Sequence, residues 1–485
     1  MKYFALLTLL FVYQSTSAQS SIIWSQTATV ASSQYGNMHP RVVTDGSGDP
    51  LIIWGNNNSK QVFFSQWTGS NFSNPANLNP VTIPIFAASW AGPDLASHGD
   101  TVYVVFKETP EDASGIYIVR SFDGGANFSS PERVDSIFNS RSRFPAVSTD
   151  ANGHPLVAFM KFNQSWGDAH YVLAKSTDFG STFGPDVLGS GFSGGDVCDC
   201  CPASVVSSDN TTALLYRDNL NNLRNSWAGI SFDNASSFGA GIEIDETDWM
   251  IHACPSSGPD GIIIGDGLYS VFMSAASGKT LCYRSHSTLS TLQLESLEPL
   301  TADFAGLGQQ NFPRIAAYGN AAATVWRQTV NGNAQLAIQF TDNISNGFQP
   351  GHEVMANNGV ANADIALSSN GKVHVVWEDM DSGTVKYKSG TYSLSGASDQ
   401  ANLKESVNIY PNPAKKSSLN IQIKALDEQQ LTYQVFNPQG QEMQSGQGHL
   451  IEGVMKVDVS NLPNGFYFIK INLQHQNILR SVVIE

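Results

Sequence analysis

The chain has 485 residues, enough for two or three domains. Its formal charge of −16 argues against a nucleic-acid partner and against anionic membrane surfaces. Only 14% of residues are charged, and Gly, Ser and Asn are abundant, which suits many short strands joined by turns.

Met1 to Ala18 reads as a secretory signal. Lys2 supplies the positive end, Phe4 to Val12 the apolar core and Thr16-Ser17-Ala18 the small-residue cleavage site. The apolar run is too short to span a bilayer, and no later stretch reaches that length, so no membrane span is expected. Export permits disulfides, and five cysteines leave an odd one.

Seven apolar strands follow, each ending in an aromatic residue: Trp54, Phe106, Phe159, Tyr216, Phe272, Trp326 and Trp377. The steps between them are 52, 53, 57, 56, 54 and 51 residues. Most are preceded by a shorter strand that opens with proline, at Pro40, Pro93, Pro145, Pro202 and Pro313. A second periodic feature is a self-closing turn. Ser176-Thr177-Asp178-Phe179-Gly180-Ser181-Thr182-Phe183 offers a carboxylate for nearby backbone N–H groups, a glycine for positive φ, and a phenylalanine plug. The pattern recurs at Ser121 with Asp123 and at Ser231 with Asp233, and in worn form at Ser65. A fixed period near 55 residues means a repeat architecture.

Each unit reads as strand, strand, strand, Asp-bearing turn, strand, and cannot bury both faces alone. Arranged radially, such sheets pack on one another and leave few edges. The fold class is therefore all-β, with a β-propeller over 19–394. Seven blades are expected, with six as the alternative. Ile22 to Val30 is expected to supply the outer strand of the last blade and close the ring. Residues 395–404 form a polar linker. Six or seven short alternating strands over 405–485 predict a small Ig-like β-sandwich.

Chemistry concentrates in two loops. Gly195-Asp196-Val197-Cys198-Asp199-Cys200-Cys201-Pro202 leads into the fourth unit, and Trp249-Met250-Ile251-His252-Ala253-Cys254-Pro255 into the fifth. Both precede an inner strand, so both are expected at one mouth of the central funnel. Cys198, Cys200, Cys201, His252 and Cys254 are expected to cluster there. A loop-to-loop disulfide is one reading. A copper or zinc site on Cys198, Cys200, Cys201 and His252 is the other. Arg217, Asp218, Arg224 and Trp249 are expected around this face. Arg41 and Arg314, each following a strand-opening proline, are expected to line the funnel. Asp196, Asp199, Glu246, Asp248 and Asp260 are further acidic residues near these loops. Cys282 is expected to be buried and free.

The turn motif and its period resemble the Asp-box, or BNR, repeat of the sialidase superfamily. That resemblance implies that Asp123, Asp178 and Asp233 are structural and peripheral. Sialidases hold an anionic sugar with three arginines, the first in a Phe/Tyr-Arg-Ile-Pro motif, and react through a tyrosine activated by a glutamate. This chain departs from the motif: Phe312-Pro313-Arg314-Ile315 has the letters in another order, and His39-Pro40-Arg41-Val42 stands in the equivalent place. The Cys-Asp-Cys-Cys loop and the later Trp-x-Ile-x-x-Cys-Pro segment look like a subgroup of sialidase-like exported proteins. The C-terminal 80 residues resemble the type A sorting domain of the type IX secretion system of Bacteroidota. The resemblance rests on Tyr410-Pro411-Asn412-Pro413, Val435-Phe436-Asn437-Pro438-Gln439-Gly440 and Leu462-Pro463-Asn464-Gly465-Phe466. It implies delivery by the type IX secretion machinery, removal of the domain, and a secreted or cell-surface protein. Together the resemblances imply a propeller that acts on or binds an extracellular glycan or glycoprotein. The alternatives are a metal- or thiol-linked binding protein and a non-catalytic interaction propeller.

Overall fold

The computed structural model describes residues 22–31, 35–113, 115–135, 140–349, 351–392, 407–415, 417–423, 430–438, 441–451, 453–473 and 476–485. The signal segment and the 395–404 linker lie outside the described residues. The chain divides into two compact units, 1–393 and 394–485.

The first unit is a seven-bladed propeller. Among the described residues it holds seven antiparallel sheets of four or five strands. The innermost strands of blades 1 to 7 are Asn37–Thr44, Asp94–His98, Ser140–Thr149, Ser204–Ser208, Asp260–Ile264, Leu307–Tyr318 and Val360–Leu367. Each lies against the next, and that of blade 7 lies against that of blade 1, so the ring closes. The six-bladed alternative is excluded.

Closure is made by the N-terminal segment. It forms two strands, Ile23–Trp24 and Ala28–Ala31, rather than one. Both pair with Thr384–Thr391 of blade 7, with Ile23 opposite Thr391 and Ala28 opposite Tyr387. Val30 and Ala31 then join Trp54, Val376 and Tyr387 in the core between blades 7 and 1.

The second strand of each blade is apolar on both faces because it lies between two neighbouring sheets. That is why alternation fails there and near-continuous apolar runs replace it. The seven strand-final aromatics are all 3% exposed or less and fill the gaps between blades. The Asp-bearing turns close as hairpins. Ser176 Oγ donates to Asp178 at 2.8 Å, and Asp178 accepts from Thr182 N at 2.8 Å and from Thr182 Oγ1 at 2.7 Å. Asp123 and Asp233 repeat this with Asn127 and Ser237. Hydrogen bonding holds the three carboxyls down at about 2. Each turn carries its phenylalanine into an inter-blade core, Phe128 between blades 1 and 2 and Phe183 between blades 2 and 3.

The second unit packs a three-stranded sheet and a four-stranded sheet around one core. Leu419 and Ile421 come from the first sheet, Val435 and Ile469 from the second. Gln441 N donates to Asn437 Oδ1 at 2.9 Å, closing the turn between two strands of the larger sheet.

Candidate functional site

Seven equivalent positions face the propeller axis, one per blade. They are Arg41, Asp94, Ala146, Ser204, Asp260, Arg314 and Asp364, each opposite the residue that precedes the strand-final aromatic. In several blades a register irregularity just before this position turns the chain inward, as between Met38 and Arg41 and between Asn311 and Arg314. His39, Phe144 and Phe312, each before a proline, take φ of 52–54° at that bend.

The aspartates stitch blade to blade. Asp364 accepts from Val42 N at 2.9 Å, Asp94 from Val147 N at 3.0 Å and Asp260 from Ile315 N at 2.9 Å. The same carboxylates pair with the two arginines. Arg314 Nε lies 3.0 Å from Asp364 and 3.4 Å from Asp260, and Arg41 Nε lies 3.6 Å from Asp94. Burial raises the Asp94 and Asp260 carboxyls, against the pull of the arginines. Burial also opposes the charge on Arg314, but Asp260, Asp364 and Asp94 outweigh it and raise its pKa. His39 is held well down by burial and by Arg41, so it is neutral beside this ring.

Around the ring opens a narrow funnel of about 50 Å³ lined by His39, Arg41, Asp94, Phe144 and Arg314. A contiguous recess adds Trp90, Ser256, Phe312 and Asn362. Arg41 and Arg314 both line this space. Asp94 and Asp364 were not singled out in the sequence. The signal was present for Asp94: it follows Pro93 as Arg41 follows Pro40.

The Cys-rich loop is built as follows. Asp196–Val197 pairs with Asn219 and Asp218, extending the second strand of blade 4 beyond its inner strand. The chain then turns, with Cys198 N donating to Arg217 O at 2.8 Å and Cys201 N to Cys198 O at 3.0 Å. Tyr171 donates its hydroxyl to Cys201 O at 2.8 Å. Gly258 of the facing loop lies against the Pro202 carbonyl, where any Cβ would collide.

The loops converge on a Cys200–Cys254 disulfide with Cα atoms 6.1 Å apart. Cys198 and Cys201 are buried free thiols with their sulfurs 2.7 Å apart, and Cys198 Sγ is 3.6 Å from Cys200 Sγ. Cys282 is a buried free thiol elsewhere, between blades 5 and 6. The sulfurs of Cys198, Cys200 and Cys201 lie within 4.8 Å of one another, a spacing a soft metal ion could bridge. Cys200 is already bonded to Cys254, however, and His252 is exposed and outside the group. The ligand set of Cys198, Cys200, Cys201 and His252 expected from the sequence is therefore not assembled. The thiols fit a metal only with that bond reduced.

Arg217, Asp218, Arg224 and Trp249 are corrected from ligand-face groups to interior ones, since all are 7% exposed or less. Arg217 follows the buried strand-final Tyr216 in a strand that continues to Asn219, where Asp196–Val197 covers it on one side and Ser226 pairs with Arg217 on the other. Its guanidinium donates to Ser257 O at 3.1 Å, Arg224 O at 2.5 Å and Met273 O at 2.6 Å. It also stacks over Trp249 at 5.4 Å and lies 3.8 Å from Asp245. Arg224 Nε and Nη1 are buried without a hydrogen-bond partner.

Burial, with Glu243 nearby, raises the Asp218 carboxyl to about 7. An unfolded Asp titrates near ~3.9. Below that value the group is neutral in both states and costs nothing. As pH rises toward about 7 the unfolded chain ionises first, so stability is lost across that window. Asp218→Asn should therefore leave urea stability unchanged at pH 4 and raise it by about 1–3 kcal/mol at pH 8, after allowance for partial solvation. An equal gain at both pH values would refute this account.

Residues 408–485 match the family model described as the secretion system C-terminal sorting domain. A comparison with curated proteins finds no match. Among solved structures, the chain is similar to a protein of unknown function from Dyadobacter fermentans, at 12% identity over 77% of this chain and 99% of that one, with a TM-score of 0.44. It is similar to an alpha-L-arabinofuranosidase from Fusarium graminearum at 11% identity, covering 68% and 99%, with a TM-score of 0.44. A Trypanosoma rangeli sialidase aligns at 10% identity over 95% and 89%, with a TM-score of 0.43. No helix among the described residues is long and apolar enough to cross a membrane. With its match to the sorting-domain model, the chain ends in a type IX secretion system C-terminal sorting domain and is a secreted or cell-surface protein.

Proposed function

We propose that the propeller binds the neutral sugars of an extracellular glycan or glycoprotein at the axial funnel, after delivery by the type IX machinery. The observation that carries this reading is the composition of the axial ring. Asp94, Arg41 and Arg314 line a solvent-connected funnel beside Trp90, Phe144 and Phe312, and the ring's other two carboxylates, Asp260 and Asp364, pair with Arg314. Vicinal sugar hydroxyls take paired hydrogen bonds from such charged groups, and sugar C–H faces pack on aromatic rings. The surplus of carboxylate disfavours a sialic acid carboxylate. Asp94, Asp260 and Asp364 are each engaged by arginine and backbone N–H, and no tyrosine is among the described residues that line the funnel. The reading is accordingly a binding protein rather than a hydrolase.

The test is a panel of immobilised neutral and sialylated glycans probed with the secreted protein. Neutral glycans should be retained, and Trp90→Ala should weaken retention at least tenfold, or about 1.4 kcal/mol. A preference for sialylated glycans, or an unaltered Trp90→Ala variant, would overturn the reading.

A second reading is a copper or zinc site on reduced Cys198, Cys200, Cys201 and Cys254, favoured by the three sulfurs within 4.8 Å. Thiolates suit both ions. Metal analysis of the protein after chelator-free purification, with and without reductant, decides it.

A further inference from the structure

We propose that Cys198, Cys200, Cys201 and Cys254 form a redox-active centre in which a disulfide moves between the surface pair Cys200–Cys254 and the buried pair Cys198–Cys201. The sulfurs are placed in sequence for this. Cys254 is exposed, Cys200 is half-buried and bonded to it, Cys198 is 3.6 Å from Cys200, and Cys201 is 2.7 Å from Cys198.

The Cys198 thiolate attacks Cys200 Sγ. The Cys198–Cys200 bond forms as the Cys200–Cys254 bond breaks, and Cys254 leaves as a thiolate. Cys201 then gives up its proton, which the Cys254 thiolate can take, and attacks Cys198 Sγ. The Cys198–Cys201 bond forms and Cys200 leaves as a thiolate. One disulfide and two thiols are present throughout. The buried pair has lost the two electrons that the surface pair has gained, so no outside oxidant is needed.

A second observation marks Cys198 as the nucleophile. The Arg224 guanidinium is more than nine-tenths buried, and its Nε and Nη1 have no hydrogen-bond partner. A buried cation of this kind calls for a nearby anion. The groups that face Cys198 are the Cys201 thiol, 2.7 Å away, and the Arg224 and Arg217 guanidiniums. Attack by a thiolate is what thiol–disulfide exchange requires.

The exchange also bears on the funnel. The surface disulfide ties the loop before blade 4 to the loop before blade 5, and Ser256 and Gly258 of the latter line the funnel mouth. Moving the bond to Cys198–Cys201 unties the two loops while each keeps its own backbone hydrogen bonds.

The secreted full-length protein, which carries one disulfide among these four cysteines, provides the test when held in buffer free of added oxidant and reductant. Samples are blocked with N-ethylmaleimide at intervals and the pairing is read by peptide mass mapping. The wild type should show both Cys200–Cys254 and Cys198–Cys201, in a ratio that becomes constant with time. Cys198→Ser should show Cys200–Cys254 alone. Cys201→Ser, which keeps the nucleophile but lacks the resolving thiol, should yield a Cys198–Cys200 bond with Cys254 alkylated. A single pairing in the wild type at all times would overturn the proposal. So would a Cys201→Ser protein that never forms the Cys198–Cys200 bond.

Discussion

Replacing Arg217 with methionine should destabilise the propeller by about 3–5 kcal/mol, the cost of removing one partner from a buried charged network. The side chain is fully buried, and its three donors satisfy carbonyls from three separate segments: Ser257 before blade 5, Arg224 in blade 4 and Met273 in blade 5. Methionine fills similar volume but supplies no donor, so three buried carbonyls lose their partner. Asp245 loses its cation as well. Arg217→Lys should recover less than half of the loss, because one ammonium cannot reproduce the planar fork that reaches three carbonyls. The guanidinium chloride midpoints of the two variants check both statements. A loss below about 1 kcal/mol in Arg217→Met would show that water replaces the guanidinium without strain.

The same residue shows where the sequence was readable and where it was not. The blade count followed from Trp54 to Trp377 because one aromatic per sheet must plug each gap, and that need writes a period into the chain. Asp123, Asp178 and Asp233 were legible for a related reason: their hydrogen bonds are local, within four residues. Arg217 was not legible as an interior group. An arginine after a strand-final aromatic usually exits to solvent, and the carbonyls that hold it belong to residues up to 56 positions away. The cysteines fall between these cases. Convergence of the two loops followed from their place before adjacent inner strands. The choice of Cys200 rather than Cys201 as the partner of Cys254 depends on the turn at Cys198–Cys201, which points neighbouring side chains in different directions. His252 looked like a ligand because it is two residues from Cys254, yet its side chain faces solvent.

Asp364→Ala should cost about 2–4 kcal/mol, and this variant ties the stability of the ring to its proposed function. Asp364 does two things at once. Its Oδ2 accepts from Val42 N at 2.9 Å, which fastens blade 7 to blade 1 at the seam where the ring closes. Its Oδ1 accepts from Arg314 Nε at 3.0 Å. Alanine orphans the Val42 N–H and leaves Arg314 with Asp260 at 3.4 Å as its remaining partner in the ring within salt-bridge range. Asparagine separates the two roles. Its amide oxygen can still accept from Val42 N, but it brings no charge to Arg314. Asp364→Asn should therefore cost about half as much as alanine. It should weaken glycan retention as much as alanine does, because retention depends on where Arg314 points. Chemical denaturation and the immobilised-glycan assay, run on both variants, give the comparison. If asparagine restores stability and retention together, the charge on Asp364 has no part in positioning Arg314. If neither variant moves the denaturation midpoint, the seam is held by Val30, Trp54 and Tyr387 alone, and the axial carboxylates are not structural stitches.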